Sequence, residues 1–285
     1  AYNNVSAYEY FLPGTTGSSL KFNFTAGNIY GKSLAGKSIT LSGLGSLVRN
    51  GSYTVDIVLN TKGMYLFDNG TVGTLADKGT RIPIGLVIEE KTTTKQGLAV
   101  ALHYAQNATP IPWGGDEDVS STQTFEWDDA LNDFDGYGWT WDGSKTVGGY
   151  IKANEQTMFP AFYAAGHYGE ELTAKGINVT GSNVSKWFLP SVGEYVSFCK
   201  KYLNHTPTFY GDTGIPNDVL TKISKIFTDA GGDNLSNRFP SCILSTQKST
   251  YAGYGKTYYA YPTLQTIHQA HAITPNVHVL PFVHF

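Results

Sequence analysis

The chain has 285 residues, a net charge of −3 and only 15% charged side chains. That length leads one to expect about two domains with a core stable without metal staples. So sparse a charge balance speaks against a nucleic-acid partner or an anionic membrane surface, and no apolar run approaches the roughly 20 residues that span a bilayer. The bias lies instead in 32 Gly and 19 Tyr, a composition that accompanies β-rich extracellular proteins with aromatic loops. Cys199 and Cys242 form no CxxC pair, and one disulfide or two buried thiols are equally open.

Residues 1–62 have strand chemistry. Residues 7–12 end at a Pro13-Gly14 turn signal; Leu20, Phe22 and Phe24 alternate with Lys21, Asn23 and Thr25, the period-two pattern of a half-buried strand. Residues 38–41 and 53–59 repeat it. Four such strands leave an apolar face that needs another sheet, so this region reads as the later part of a β-domain. Residues 63–67 then form a strand, residues 68–71 a hairpin turn, and residues 82–88 and 97–102 are short, almost continuously apolar runs suited to central strands. The domain boundary falls near Thr61-Lys62, giving domains 1–62 and 63–285.

Regular periodicity disappears from Tyr104 to Thr146, where Trp113, Trp127, Trp139 and Trp141 stand among acidic residues and glycines. Helix is expected over residues 149–155 and 161–168, with Pro160 kinking or dividing it. Residues 187–203 are the stretch around which the second domain is organised: a short buried strand, a Pro190 stop, then a helix. Ser191 can accept from first-turn N–H groups and Glu194 stands at the capping-box spacing. Tyr195, Phe198, Cys199 and Tyr202 recur at three- and four-residue intervals, so one helix face is apolar. A further amphipathic helix covers residues 217–227, stopped by Gly231-Gly232. The end is β again: residues 242–247, a Tyr/Gly-rich segment over 251–261, and residues 276–285.

Residues 10–13, 20–24 and 47–59 resemble the fimbrillin-like subunits of Bacteroidetes-type pili, residues 47–59 looking like the closing strands of that fold. The resemblance implies a β-sandwich portion, a surface location and assembly with other pilin subunits by strand donation to a sheet edge. Residues 65–71, 84–88, 97–102, 187–194, 231–235, 244–247 and 277–285 are similar, in order, to the C-terminal domain of collagen-like surface adhesins. Those are relatives of the formylglycine-generating-enzyme fold and so of the C-type lectin-like fold. The expected fold is therefore a β-sandwich portion followed by an α+β C-type lectin-like domain. The chain departs from that family at Cys242, where an aromatic is usual, and at Leu280, where Arg is usual.

Formylglycine-generating enzymes need a copper-binding cysteine pair, which Cys199 and Cys242 do not offer, and nothing like Gly-x-Ser-x-Gly exposes a serine nucleophile. The chain therefore reads as a non-enzyme without a required cofactor. Calcium is the candidate ion, through the oxygen ligands Asp128, Asp129, Asp133 and Asp135; Asp116 and Asp118 stand in the same acidic region. His268 and His271 could share a helical face, yet zinc lacks a third ligand. Ligand contact is assigned to Trp113, Asp116, Asp118, Tyr137, Trp139, Trp141, Tyr251, Tyr254, Tyr258 and Tyr259, since flat rings beside small residues and carboxylates suit sugars or a host protein. The same rings could instead pack the minor core of an irregular domain, the bland reading favoured for the Trp residues. The resulting expectation is a pilus subunit at or near the tip, exported by way of the outer membrane, whose C-terminal domain binds a host or microbial ligand. The alternative is an outer-membrane lipoprotein that captures glycans for nutrition.

Overall fold

The computed structural model describes residues 19–29, 32–42, 63–114, 121–203, 205–209, 217–235, 243–251, 254–261, 266–271 and 278–285. The expected strands at residues 7–12 and 53–59, the carboxylates Asp116 and Asp118, and Cys242 lie outside them. The chain divides into two compact units, Ala1–Asn60 and Thr61–Phe285.

In the first unit, β1 (Ser19–Asn23), β2 (Asn28–Ile29), β3 (Lys32–Ser33) and β4 (Ser38–Ser42) are described. β1 pairs with β4 antiparallel, with Phe22 opposite Ile39 and Lys21 opposite Thr40. The alternation read from the sequence is realised: Phe22 and Ile39 are half-buried, whereas Lys21, Asn23 and Thr40 are exposed, as a pleated strand requires.

The second unit runs β5 (Tyr65–Phe67), β6 (Val72–Gly73), β7 (Pro83–Glu89), β8 (Leu98–Ala101), α1 (Trp127–Ala130), α2 (Gly136–Trp141), α3 (Pro160–Gly166), α4 (Tyr168–Ala174) and α5 (Val192–Leu203). It continues with β9 (Thr208–Phe209), α6 (Asn217–Asp229), β10 (Ile243–Tyr251), β11 (Tyr254–Tyr261), β12 (Thr266–His271) and β13 (Phe282–His284). Among the described residues, one sheet has the order β13-β8-β7-β5-β6 and is antiparallel throughout; the other has the order β10-β11-β12-β9, with β9 parallel to β12. The architecture is thus mainly antiparallel sheet with helices packed on it.

The two continuous apolar runs become β7 and β8, whose side chains from Ile84 to Ile88 and Leu98 to Ala101 are buried, each worth about 1.5–3 kcal/mol for a large aliphatic group. The last residues close this sheet. Phe282 sits opposite Val100, Phe188 forms a bridge to Phe282, and Gly97 and Phe285 exchange backbone hydrogen bonds of 3.0 and 3.1 Å. Gly97 has to be glycine here, because a Cβ would stand 2.3 Å from the Phe285 ring. On α5 the predicted face is buried: Tyr195, Phe198, Cys199 and Tyr202 all lie inside, and the Tyr202 hydroxyl donates to the Val87 carbonyl at 2.6 Å.

Several expectations need correction. Residues 149–155 hold only a single 3-10 turn, Lys152–Asn154, and Pro160 begins α3 instead of kinking a longer helix; its missing N–H costs nothing at a first helical position. The stretch from Tyr104 to Thr146 is not wholly irregular, since α1 and α2 lie in it. The Tyr/Gly-rich segment holds the last residue of β10 and all of β11. His268 and His271 lie on a strand, β12, and not on a helix.

Candidate functional site

The organising stretch is built as expected in outline and differently in detail. Ser191 N–H donates to Glu194 Oε2 at 2.8 Å, the back-reaching half of a capping box. The other half is supplied from elsewhere in the fold. Val192 N–H donates to Thr246 Oγ1 at 2.9 Å, and Gly193 N–H donates to the Asp133 carbonyl at 2.9 Å. Ser191 Oγ, expected to accept from the helix, donates to that same carbonyl at 2.7 Å and lies 3.0 Å from Glu194 Oε2. Two residues far apart in sequence thus satisfy the first donors of α5, which any helix start leaves open.

Asp133 is the hub. Its carboxylate accepts from Trp139 Nε1 at 3.1 Å, Thr246 Oγ1 at 2.6 Å and Asp135 N–H at 3.1 Å, while its carbonyl takes Ser191 and Gly193. Burial pushes its pKa up, and the bonds from Thr246, Trp139 and Asp135 oppose that. Burial also pushes Glu194 up to about 8; its Oε1 has no hydrogen-bond partner among the described residues and stands 3.9 Å from His284 Nε2. Gly136 and Gly193 permit this packing: a Cβ at Gly136 would lie 2.4 Å from Glu194 Oε2, and one at Gly193 would lie 2.5 Å from the Asp133 carbonyl.

Lys152 lies beside this hub, fully buried. Its Nζ donates to Ser121 Oγ at 3.0 Å and to the Trp139 carbonyl at 3.4 Å, within 5.1 to 5.9 Å of the ring centres of Phe162, Phe159, Trp139 and Trp113. Burial, with a smaller push from Lys145, lowers its pKa to about 7. Ring faces stabilise a cation, but no carboxylate among the described residues pairs with it.

Two of the residues expected to contact a ligand, Trp113 and Trp139, belong to these surroundings. Trp113 and Trp139 are buried; Trp113 meets Phe159 and Phe162 edge-on. Trp141 donates from Nε1 to the Trp187 carbonyl at 2.8 Å, under the Lys186 ammonium. Tyr137 packs edge-on against Phe188, and Tyr258 is buried against Trp127 with its hydroxyl donating to the Phe125 carbonyl at 3.1 Å. Tyr251 falls on β10, and Tyr254 and Tyr259 on β11. The exposed large apolar side chains among the described residues are Ile82, Phe134, Val147 and Tyr150.

The calcium set also separates. Asp128 and Asp129 stand in the first turn of α1, Asp133 is consumed by the hub, and Asp135 caps α2 through Gly138 N–H at 3.1 Å and pairs with Lys145. Among the described residues no group of three acidic, His or Cys side chains is placed to hold a metal. Cys199 is a free thiol whose pKa burial pushes up to about 12.

An open cleft of about 280 Å³ lies elsewhere in the second unit, lined by His103, Tyr104, Asn107, Ala108, Lys175, Asp233 and Asn234. Asp233 follows α6 and is held by its own N–H on the Leu102 carbonyl at 2.9 Å. Its carboxylate accepts from His103 Nδ1 and Tyr104 N–H, each at 2.9 Å. Burial would raise its pKa, but those bonds and the charges of His103 and Lys175 outweigh burial and hold it below the usual value.

The cleft wall at Gln106, Asn107 and Ala108 has φ of 51°, 52° and 59°. Three consecutive non-glycine residues in the left-handed region cost about 1–2 kcal/mol each, so the wall must be held. Glu171 on α4 holds it, accepting Gln106 N–H on both oxygens at 3.0 and 3.1 Å. Sequence reasoning missed His103 and Asp233 as a pair; the available signal was a polar residue directly after a buried strand and after the Gly231-Gly232 helix stop.

No protein-family model and no curated protein matches the chain. A solved structure of a fimbrial protein from Bacteroides ovatus is similar at 15% identity and a TM-score of 0.44, over 87% of this chain and 55% of that one. The chain thus spans about half the length of that protein. Among the described residues no helix is long and apolar enough to cross a membrane.

Proposed function

We propose that the chain is a cell-surface pilus subunit of the fimbrillin-like kind, with residues 63–285 as a lectin-like domain that contacts a host or microbial ligand at or near the filament tip. The observation that carries this reading is convergence. Segments 65–71, 84–88, 97–102, 187–194, 244–247 and 277–285 carry the likeness to adhesin C-terminal domains. The structure joins them in β5, β7, β8 and β13, the Phe188–Phe282 bridge and the Asp133–Thr246–Val192 hub. A likeness spread over distant segments is thereby tied to one packed unit.

The first unit is assigned to assembly by strand addition, which uses main-chain bonds at a sheet edge. The reading is of binding and not catalysis: the Cys199 thiol, buried and shifted upward, lacks the thiolate character that redox chemistry needs. Immunogold electron microscopy of producing cells, with antibody raised against residues 63–285, tests the proposal. Gold at filament ends is expected. Label along shafts removes the tip role, and uniform label on the cell body with none on filaments overturns the pilus reading in favour of a surface lipoprotein.

A further inference from the structure

We infer that the His103–Asp233 cleft binds a small hydroxylated carboxylate of the size of one sugar-acid unit; this rests on reading the second unit as the ligand-contacting domain. The chemistry of the lining sets the ligand class. The cleft's carboxylate is already spent, with Asp233 Oδ1 on His103 Nδ1 and Oδ2 on Tyr104 N–H. Because Asp233 accepts, His103 Nδ1 carries a hydrogen, and Nε2 is the ring's other polar atom. A hydroxyl on the ligand suits it, since a hydroxyl both donates and accepts.

Lys175 sets the charge of the ligand. It is exposed at the end of α4 and makes no ion pair within contact distance among the described residues, although its charge is felt at Asp233 and Glu171; as the lysine of the cleft it favours an anion. Its single charge matches a carboxylate; a phosphate monoester, with about −1.5 to −2 charges, asks for more. The Asn107 side chain, exposed and lined up on the wall by its left-handed backbone, offers both a donor and an acceptor to hydroxyls. Ala108 adds apolar surface against which a ring can rest. At about 280 Å³ the cleft has room for one sugar unit and not for a chain, since sites for drug-sized ligands begin near ~300 Å³.

The geometry is also preorganised. Glu171 clamps Gln106 from α4, and Thr109 Oγ1 donates to the Gln106 carbonyl at 2.7 Å. The strained wall is therefore set before a ligand arrives, which lowers the ordering cost of binding.

The test uses the full chain and ligand-observed saturation-transfer NMR with D-glucuronate, against D-glucose, acetate and inorganic phosphate. D-glucuronate is expected to give saturation transfer and a measurable dissociation constant, with D-glucose and acetate each binding more weakly. Lys175→Ala is expected to weaken D-glucuronate about fivefold, which corresponds to ~1 kcal/mol for one partly exposed charge pair. Asn107→Gly keeps the left-handed backbone accessible and is expected to weaken it as well. Thermal midpoints of both variants should match the parent, showing that folding is intact. D-glucuronate bound no better than D-glucose, bound equally by both variants, displaced by tighter phosphate, or not bound overturns the proposal. Loss of the sugar-acid signal with gold still at filament ends removes the cleft assignment alone; binding with no filament label removes the pilus reading alone.

Discussion

Two aspartates of the second unit make the instructive comparison. Asp133 and Asp233 each accept from a ring N–H and from a backbone N–H, yet their pKa values move in opposite directions. Asp133 is 4% exposed, and the loss of water outweighs three good hydrogen bonds. The Asp233 side chain is 35% exposed, so its bonds win. The neighbours differ in the same way. Around Asp133 the donors are committed to α5, Trp139 and Thr246, whereas around Asp233 the polar groups of His103, Lys175 and Asn107 point outward with capacity left over. A buried carboxylate became architecture, and a half-buried one became the floor of a cleft.

The comparison breaks most severely at Asp133. Asp133→Ala is expected to cost about 3 kcal/mol or more, because Trp139 Nε1, the Thr246 hydroxyl and Asp135 N–H would be left buried without their acceptor. Urea unfolding measures it, with Asp133→Asn retaining part of the loss if the first variant does not fold. A cost below about 1 kcal/mol would mean that the hub is not what fixes the start of α5.

A middle-sized effect is expected at Lys152. Its folded pKa is about 7 and its unfolded value is about 10.4. Between these pH values the unfolded chain binds more protons, so this lysine makes stability rise as pH goes from 7 to 10, by about 1.4 kcal/mol per pH unit at most. Below pH 7 the cation is present in both states and the full burial cost remains. Lys152→Met should therefore be more stable than the parent at pH 6, by ~2 kcal/mol, and that advantage should shrink toward pH 10. A variant less stable at pH 6 would show that the four surrounding rings compensate the charge. The smallest effect belongs to the cleft: Lys175→Ala should change stability by no more than about 0.5 kcal/mol, since its ammonium is exposed and makes no hydrogen bond or ion pair among the described residues.

Much of the fold was legible because it rests on local patterns. The alternation of Phe22 with Lys21 and Asn23, the apolar runs over 82–88 and 97–102, the recurrence of Tyr195, Phe198, Cys199 and Tyr202, and the glycine stop at 231 each report a period or a backbone preference. The candidate site was much less legible. Carboxylates at 128, 129, 133 and 135 look equivalent in sequence, and Trp rings look equally able to stack or to pack. Burial separates them, and burial depends on which distant segments arrive.

The amino-acid sequence by itself determined the buried strands within residues 82–88 and 97–102, the apolar face of α5 and the amphipathic helix α6, because hydrophobic period and capping chemistry act over a few residues. Tertiary structure alone decided that the α5 start would be satisfied by Asp133 and Thr246 and not by the Ser191 hydroxyl. It also decided that the aromatic rings would enclose Lys152, and that His103, Lys175 and Asp233, separated by up to 130 positions, would share one cleft. The physical reason is the same in each case: hydrogen-bond partners and desolvation are properties of neighbours in space, which no local spacing encodes.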